Sequence, residues 1–309
     1  MITTVTLNAA IDKTYCMEQE LVGGTVMRVK KVRNTAGGKG LNVARVIKLC
    51  GEDVFATGIV GGFNGQYLQS LLDKDGIAHS FLRVESETRS CINILDSRFG
   101  STEFLEPGFE VSSKEEADFL KHFQTLISKS DMITISGSVP SGISRGIYAT
   151  MIKMVKAAGK RVILDTSGDL LSQALSAQPT VIKPNRDELE ALFDAQIRNV
   201  SDAAFYADRL SKSGIPYVLI SLGKDGALLA CKDGIFHGFS PDVEIVNTVG
   251  CGDSMVGAFA VALCRNRLPS DALRFAVAVA TANAMSEKTG SFDPKVRDFL
   301  LDKVTVEKI

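Results

Sequence analysis

The sequence predicts an α/β protein with a mostly parallel central sheet, helices against it and a small antiparallel β flap. Three observations carry this. From about residue 130 short β-rich runs alternate with longer stretches that have apolar residues at helical spacing, as in a parallel sheet with crossover helices. Two earlier segments instead show strand–turn–strand patterning. The 309 residues are 45% hydrophobic, contain 27 glycines and no fixed-period repeat or Pro/Ser-rich linker, so the expectation is one domain over residues 1–309. Any second unit must be an insertion, here a lid from about residues 11–35 and 88–106.

Taken in order, the first strand leads into Asn8-Ala9-Ala10-Ile11-Asp12 and the first flap segment. Gly37, Gly38 and Gly40 then open a helix whose stripe is Val43, Val46, Ile47 and Cys50, ended by Gly51. A βα unit spans about 54–76. The second flap segment runs SCINILDS, a turn at Phe99-Gly100, then STEFLE. Ser112 and Glu115 at capping-box spacing open a helix with Phe119, Leu120, Phe123, Leu126 and Ile127 on one face. DMITIS, RVILD, TVIKP and YVLIS read as strands. Between the first two, Ile147, Tyr148, Met151, Ile152 and Val155 form a helical stripe ended by Gly159. GALLAC pairs with GIFHGF across Lys232-Asp233-Gly234, VEIV (243–246) reads as a strand, and MVGAFAVALC is an apolar helix. The stripes are core faces.

Lys plus Arg is 35 and Asp plus Glu is 36, so the formal net charge is −1 and no global basic field favours nucleic acid. The six cysteines form no Cys-x-x-Cys pair and have three histidines for company, which disfavours zinc sites and disulfide frameworks. The first residues lack the marks of an export signal. The longest apolar stretch, Phe275 to Met285, is interrupted by Thr281 and Asn283, so no membrane partner is expected. Free thiols then point to a reducing cytoplasm.

The strongest local signal is Asn247-Thr248-Val249-Gly250-Cys251-Gly252-Asp253-Ser254, a glycine turn running into a helix. Free N–H groups at a helix start make an anion site, and glycines let a phosphate approach the backbone. Asp253 on its lip could accept the proton of an attacking hydroxyl; the alternative is plain N-capping. Cys251 has no nearby histidine to make it a nucleophile. Ala36-Gly37-Gly38-Lys39-Gly40-Leu41-Asn42 is a second glycine turn at a helix start, alternatively a tight turn with a solvated lysine. Neither a Walker loop nor the Rossmann glycine spacing occurs. Asn185 and Glu188, after Lys183-Pro184, fit a capping box, yet stand where a parallel strand ends and could hold a hydrated Mg²⁺. Ser221 to Gly226 leaves another strand in the same way, or is a hairpin turn.

These residues carry a resemblance, from Thr6 to about Thr289, to the ribokinase-like carbohydrate kinases. AGGKGLNVAR resembles that family's first signature and NTVGCGDSMVGAF its second. TLNAAID, ETR at 87–89, SGSVPSG at 136–142 and VIKPNRDE resemble the tagatose-6-phosphate kinase and 1-phosphofructokinase branch. The resemblance implies a ribokinase-like three-layer sandwich with a β lid, ATP and Mg²⁺ as cosubstrates, and a ketohexose phosphate as acceptor. It also implies Asp253 as base, with the amides of Gly250, Cys251 and Gly252 stabilising the migrating phosphoryl group. Asp12, Gly37, Gly38, Asn42 and Ser138 would line the sugar pocket, with Arg28, Lys39 and Arg89 for the phosphate already on the substrate. Lys183, Asn185, Ser221, Gly223, Gly226 and Asn283 would surround ATP, and Asn185 and Glu188 would hold Mg²⁺ through water. Ala9, Cys251 and Asn247 depart from the branch's usual proline, alanine or serine, and aspartate; none removes a proton acceptor or a phosphate ligand.

The expected reaction is phosphoryl transfer to tagatose 6-phosphate, with fructose 1-phosphate and fructose 6-phosphate as alternative acceptors, since CINILD, VIKPN and SEKTG favour the tagatose-6-phosphate members. A dinucleotide-dependent oxidoreductase would need G-x-G-x-x-G after the first strand, which is absent. A silent sugar or nucleotide sensor on the same fold is the other class of reading. The exposed lid sheet suggests a homodimer.

Overall fold

The computed structural model describes residues 1–309. In chain order the elements are β1 (Ile2–Thr6), β2 (Ala10–Cys16), β3 (Lys31–Gly37), α1 (Lys39–Leu49), β4 (Val54–Gly61), α2 (Gly62–Lys74), β5 (Ala78–Val84), β6 (Arg89–Asp96), β7 (Gly100–Leu105), α3 (Ser113–Ile127) and β8 (Met132–Ser136). They continue with α4 (Ile147–Ala157), β9 (Arg161–Asp165), α5 (Gly168–Leu175), β10 (Val181–Ile182), α6 (Arg186–Phe193), α7 (Val200–Lys212) and β11 (Tyr217–Ser221). The last are β12 (Ala227–Cys231), β13 (Gly234–Gly238), α8 (Cys251–Cys264), α9 (Pro269–Ala284), α10 (Pro294–Leu301) and β14 (Val306–Lys308).

Ten strands form one sheet in the order β14-β13-β12-β11-β10-β9-β8-β1-β4-β5. From β5 to β11 every pairing is parallel; β11 to β14 are antiparallel. Parallel strands bury both faces, and successive residues of β9 show it: Ile163 joins one core cluster, Val162 and Leu164 the other. The first cluster takes in α1, α2, α8, α9 and α10, and the second α3 to α7, so helices cover both sides of the sheet. The chain leaves β1 towards β4 and returns on the other side through β8. Loops diverge at that reversal, and a crevice opens past the carboxyl ends of the strands.

The second sheet, β3-β2-β6-β7, is built from the two expected segments. Its outer pairs are antiparallel hairpins, but β2 and β6 run parallel. A parallel pair needs a long crossover, and α1, β4, α2 and β5 supply it.

Two local expectations are corrected. Residues 243–246 (VEIV) form no strand: β14 already occupies the free edge of β13, and the segment is tethered where the N–H groups of Val246 and Asn247 donate to the carbonyl of Ala284. TVIKP contributes only Val181 and Ile182, because Pro184 has no N–H for a ladder. The expected capping box at Ser112 and Glu115 is formed at the head of α3.

Candidate active site

A cavity of roughly 570 Å³ lies between the carboxyl ends of β1, β8, β9 and β10 and the lid sheet. The main domain contributes Thr6, Ser136, Asp165 and Lys183; the lid contributes Asp12, Arg33, Arg89 and Cys91.

Helix α8 enters through a left-handed Gly250 (φ 81°), where a Cβ would press on the backbone of Gly290 at 2.9 Å. Gly250 is the N-cap and no side chain caps the helix; the Cys251 N–H donates to the Thr248 carbonyl at 3.3 Å, while those of Gly252 and Asp253 are free. Asp253 is therefore not a capping residue. Its carboxylate, buried at 6% exposure, accepts from Asn42 Nδ2 at 2.8 Å. Burial first, then the charge of Asp165, raise its pKa to about 6; Lys39, the Asn42 bond and Lys183 pull the other way. A base with that pKa suits proton transfer near neutrality.

Asp165, at the end of β9, was not singled out in the sequence, although a carboxylate closing a parallel strand is a usable signal. Its side chain is fully buried and neither oxygen has a hydrogen-bond partner. Lys183 Nζ stands 3.3 Å and Lys39 Nζ 3.6 Å from Oδ1. Asp165 is also the main reason the Lys39 pKa is raised. A Cβ on Gly252 would lie 3.4 Å from Lys183 Nζ, so the ammonium rests over the bare start of α8. Two lysines and free helix N–H groups thus converge beside Asp253, an arrangement that receives phosphoryl oxygens.

Asn185 and Glu188 form the capping box of α6: Glu188 N donates to Asn185 Oδ1 at 2.7 Å and Asn185 N to Glu188 Oε2 at 2.9 Å. Both also line the cavity, so the capping and ligand readings coexist. No three His, Cys, Asp or Glu side chains gather closely enough to hold a metal ion by themselves.

On the lid side, Asp12 of β2 packs against Gly37, where any Cβ would fall on its carboxyl group. Burial above all raises its pKa to about 6, against Arg45 and Arg89. Gly38, Lys39, Asn42 and Ser138 line the cavity with it. Arg89 does too, while spending three N–H groups on the carbonyls of Asn8 and Glu106 at 2.7–3.3 Å. Arg28 lies on the exposed stretch between β2 and β3 and does not line the cavity. Arg33 does, paired to Glu287 at 3.4 Å, and strand alternation was the only signal for it.

A second groove, also roughly 570 Å³, shares Asn185, Ser221 and Gly252 with the first and adds Gly223, Gly226 and Cys251. Its walls include Leu222, Ile245, Met255, Val277 and Ala280. Asn283 lines neither space. It is fully buried, donates to the Val249 carbonyl at 3.0 Å and the Cys251 sulfur at 3.4 Å, and accepts from Ser291 N at 3.1 Å. It holds the loops rather than facing a ligand.

Residues 5–296 match the family described as pfkB family carbohydrate kinase. The chain is 35% identical, over the full length of both proteins, to a tagatose-6-phosphate kinase of Staphylococcus epidermidis. Phosphofructokinase-2 from Escherichia coli, solved in complex with potassium, superposes with a TM-score of 0.92 at 28% identity, covering 98% of each chain. A possible 1-phosphofructokinase from Thermotoga maritima gives 0.91 at 26% identity, covering 100% of this chain and 99% of that one. The chain belongs to the pfkB carbohydrate kinases, has their ribokinase-like fold and is a sugar-phosphate kinase.

Proposed function

We propose that the chain transfers the γ-phosphoryl group of ATP to tagatose 6-phosphate, giving tagatose 1,6-bisphosphate. The observation that carries the reading is Asp253, held by Asn42 beside the free N–H groups of α8, in the cavity that also holds Asp12 of the lid. Asp253 takes the proton of the sugar hydroxyl as that oxygen bonds to the γ-phosphorus; the bond from this phosphorus to the bridging oxygen of ADP breaks. The amides of Gly250, Cys251 and Gly252, with Lys39 and Lys183, face the charge of the transferring group. Asp12 binds sugar hydroxyls; Arg89 and Arg33 face the phosphate already on the substrate, since Lys39 stands at Asp165 beside the reacting centre. The apolar walls of the second groove fit a flat heteroaromatic ring, with Ser221, Gly223 and Gly226 beside it.

Mg²⁺ fits the same place: the buried Asp165 oxygens have no hydrogen-bond partner, and Asn185 and Glu188 line the same cavity. With so few carboxylates, a bound ion would keep waters and phosphate oxygens as ligands, and would offset charge between the phosphates. Val32, Phe99 and Phe104 are exposed on the lid, and strand edges β3 and β7 remain open. We place a homodimer there, and light scattering reads its mass.

The test is ADP release with Mg-ATP on tagatose 6-phosphate, fructose 1-phosphate, fructose 6-phosphate and the unphosphorylated ketoses. The highest kcat/KM is expected on tagatose 6-phosphate. Preference for either fructose phosphate would reassign the acceptor, and preference for an unphosphorylated ketose would overturn the sugar-phosphate reading.

A further inference from the structure

We infer that Arg45 is a positioning residue for Asp253, acting through the side-chain amide of Asn42; this rests on the kinase reading of the site. Arg45 lies one turn beyond Asn42 on α1, on the same face. Its Nη1 donates to Asn42 Oδ1 at 3.1 Å and to the Thr289 carbonyl at 3.2 Å, and its Nη2 to the Ala36 carbonyl at 2.7 Å. Nε donates to Asp75 Oδ2 at 3.2 Å. The side chain is 12% exposed and absent from the cavity wall, so it touches neither sugar nor nucleotide. Gly290 makes room for it: a Cβ there would stand 3.1 Å from Arg45 Nη1 and 2.9 Å from Asn42 Cβ.

A guanidinium has donors only. The amide atom facing it must be oxygen, which turns the NH₂ group of Asn42 onto Asp253 Oδ2. A reversed amide would set NH₂ against the guanidinium and a carbonyl against a carboxylate, losing both bonds. Arg45 thus fixes which way Asn42 serves the base. It also gathers the end of β3 and the segment after α9 around the same helix, both of which border the cavity. The other charged groups at Asp253 are Asp165 of β9, Lys39 of α1, Lys183 after β10 and Asp12 of β2; those at Arg45 are Asp75 and Asp12.

The test follows the pH titration of the Asp253 carboxyl carbon by NMR in protein carrying ¹³Cγ-aspartate, the signal being assigned by its loss in Asp253→Asn. Arg45→Lys keeps the charge but not the fork; Arg45→Met removes both. In each, and in Asn42→Ala, the inflection should move up by about one pH unit. Arg45→Lys in the Asn42→Ala background should move it no further, and the acid limb of kcat should follow the same pattern. Unchanged titration in the Arg45 variants, or effects that add in the Asn42→Ala background, would overturn the inference, the second outcome marking a merely structural arginine. Arg45→Lys carries the comparison should Arg45→Met not fold. Coupled titrations in a protein that turns over no ketohexose phosphate would instead count against the kinase reading alone.

Discussion

Replacing Asp253 by Asn separates a buried catalytic carboxylate from a structural one, because the two roles predict opposite signs. The native pKa is raised from 3.8 to about 6. The folded protein therefore binds this proton more tightly than the unfolded chain does. The stability this provides is complete below pH 3.8 and is lost as pH rises through about 6. At ~1.4 kcal/mol per pH unit, keeping the group ionised at pH 7.5 costs the native state at most about 3 kcal/mol. Asn carries no such cost, and its side-chain oxygen still accepts from Asn42. The variant should be more stable than the parent by about 1–3 kcal/mol at pH 7.5, which raises the melting temperature by roughly 2–4 °C per kcal/mol. The gap should narrow steadily as the pH is lowered towards 4. Turnover should fall by ~10²–10⁴-fold in the same protein, the usual contribution of a general base. Melting curves across pH, paired with ADP release, measure both. A variant that melts lower at pH 7.5, by the ~1 kcal/mol a lost helix cap costs, or a gap independent of pH, refutes the reasoning.

Glu188→Gln should leave melting within about 0.5 kcal/mol, since Gln also completes a capping box, yet raise the Mg²⁺ concentration needed for half-maximal turnover; an unchanged Mg²⁺ requirement would leave Glu188 a cap only. Gly40→Ala should cost about 1–3 kcal/mol in chemical denaturation, because a Cβ there would meet the Val5 carbonyl oxygen at 2.6 Å and lift α1 from β1. Burial pushes the Cys251 thiol up, so alkylation should inactivate slowly at neutral pH and faster as pH rises; Mg-ATP should protect, because Cys251 lines the second groove. Cys251→Ser should remain active and resist the reagent, and inactivation that persists in it would place the reactive thiol elsewhere.

Much of the molecule is written locally. The alternation of β-rich and helical stretches gave the parallel sheet, because each element's apolar pattern states which faces it must bury. Both glycine turns were legible for a steric reason: Gly250 must take a left-handed backbone, and Gly37 must leave room for Asp12. What stayed hidden depends on partners distant in the chain. VEIV has the composition of a strand but no edge to join, since residues 306–308 fill it. Asp253 follows a glycine turn as a capping residue would, and only the approach of Asn42, 211 positions away, shows its carboxylate otherwise engaged. Asp165 ends an ordinary strand; its importance comes from two lysines that reach it from α1 and from the loop after β10.

The sequence by itself therefore determined the layers of the fold, the glycine turns that open α1 and α8 and the family, all of which rest on short-range pattern and backbone sterics. Tertiary structure alone decided the register that makes a cavity from two sheets, the replacement of Arg28 by Arg33 on its wall, and the low-dielectric enclosure around Asp253. A carboxylate's proton affinity depends on burial and on charges brought near by folding, and neither is a property of its neighbours in sequence.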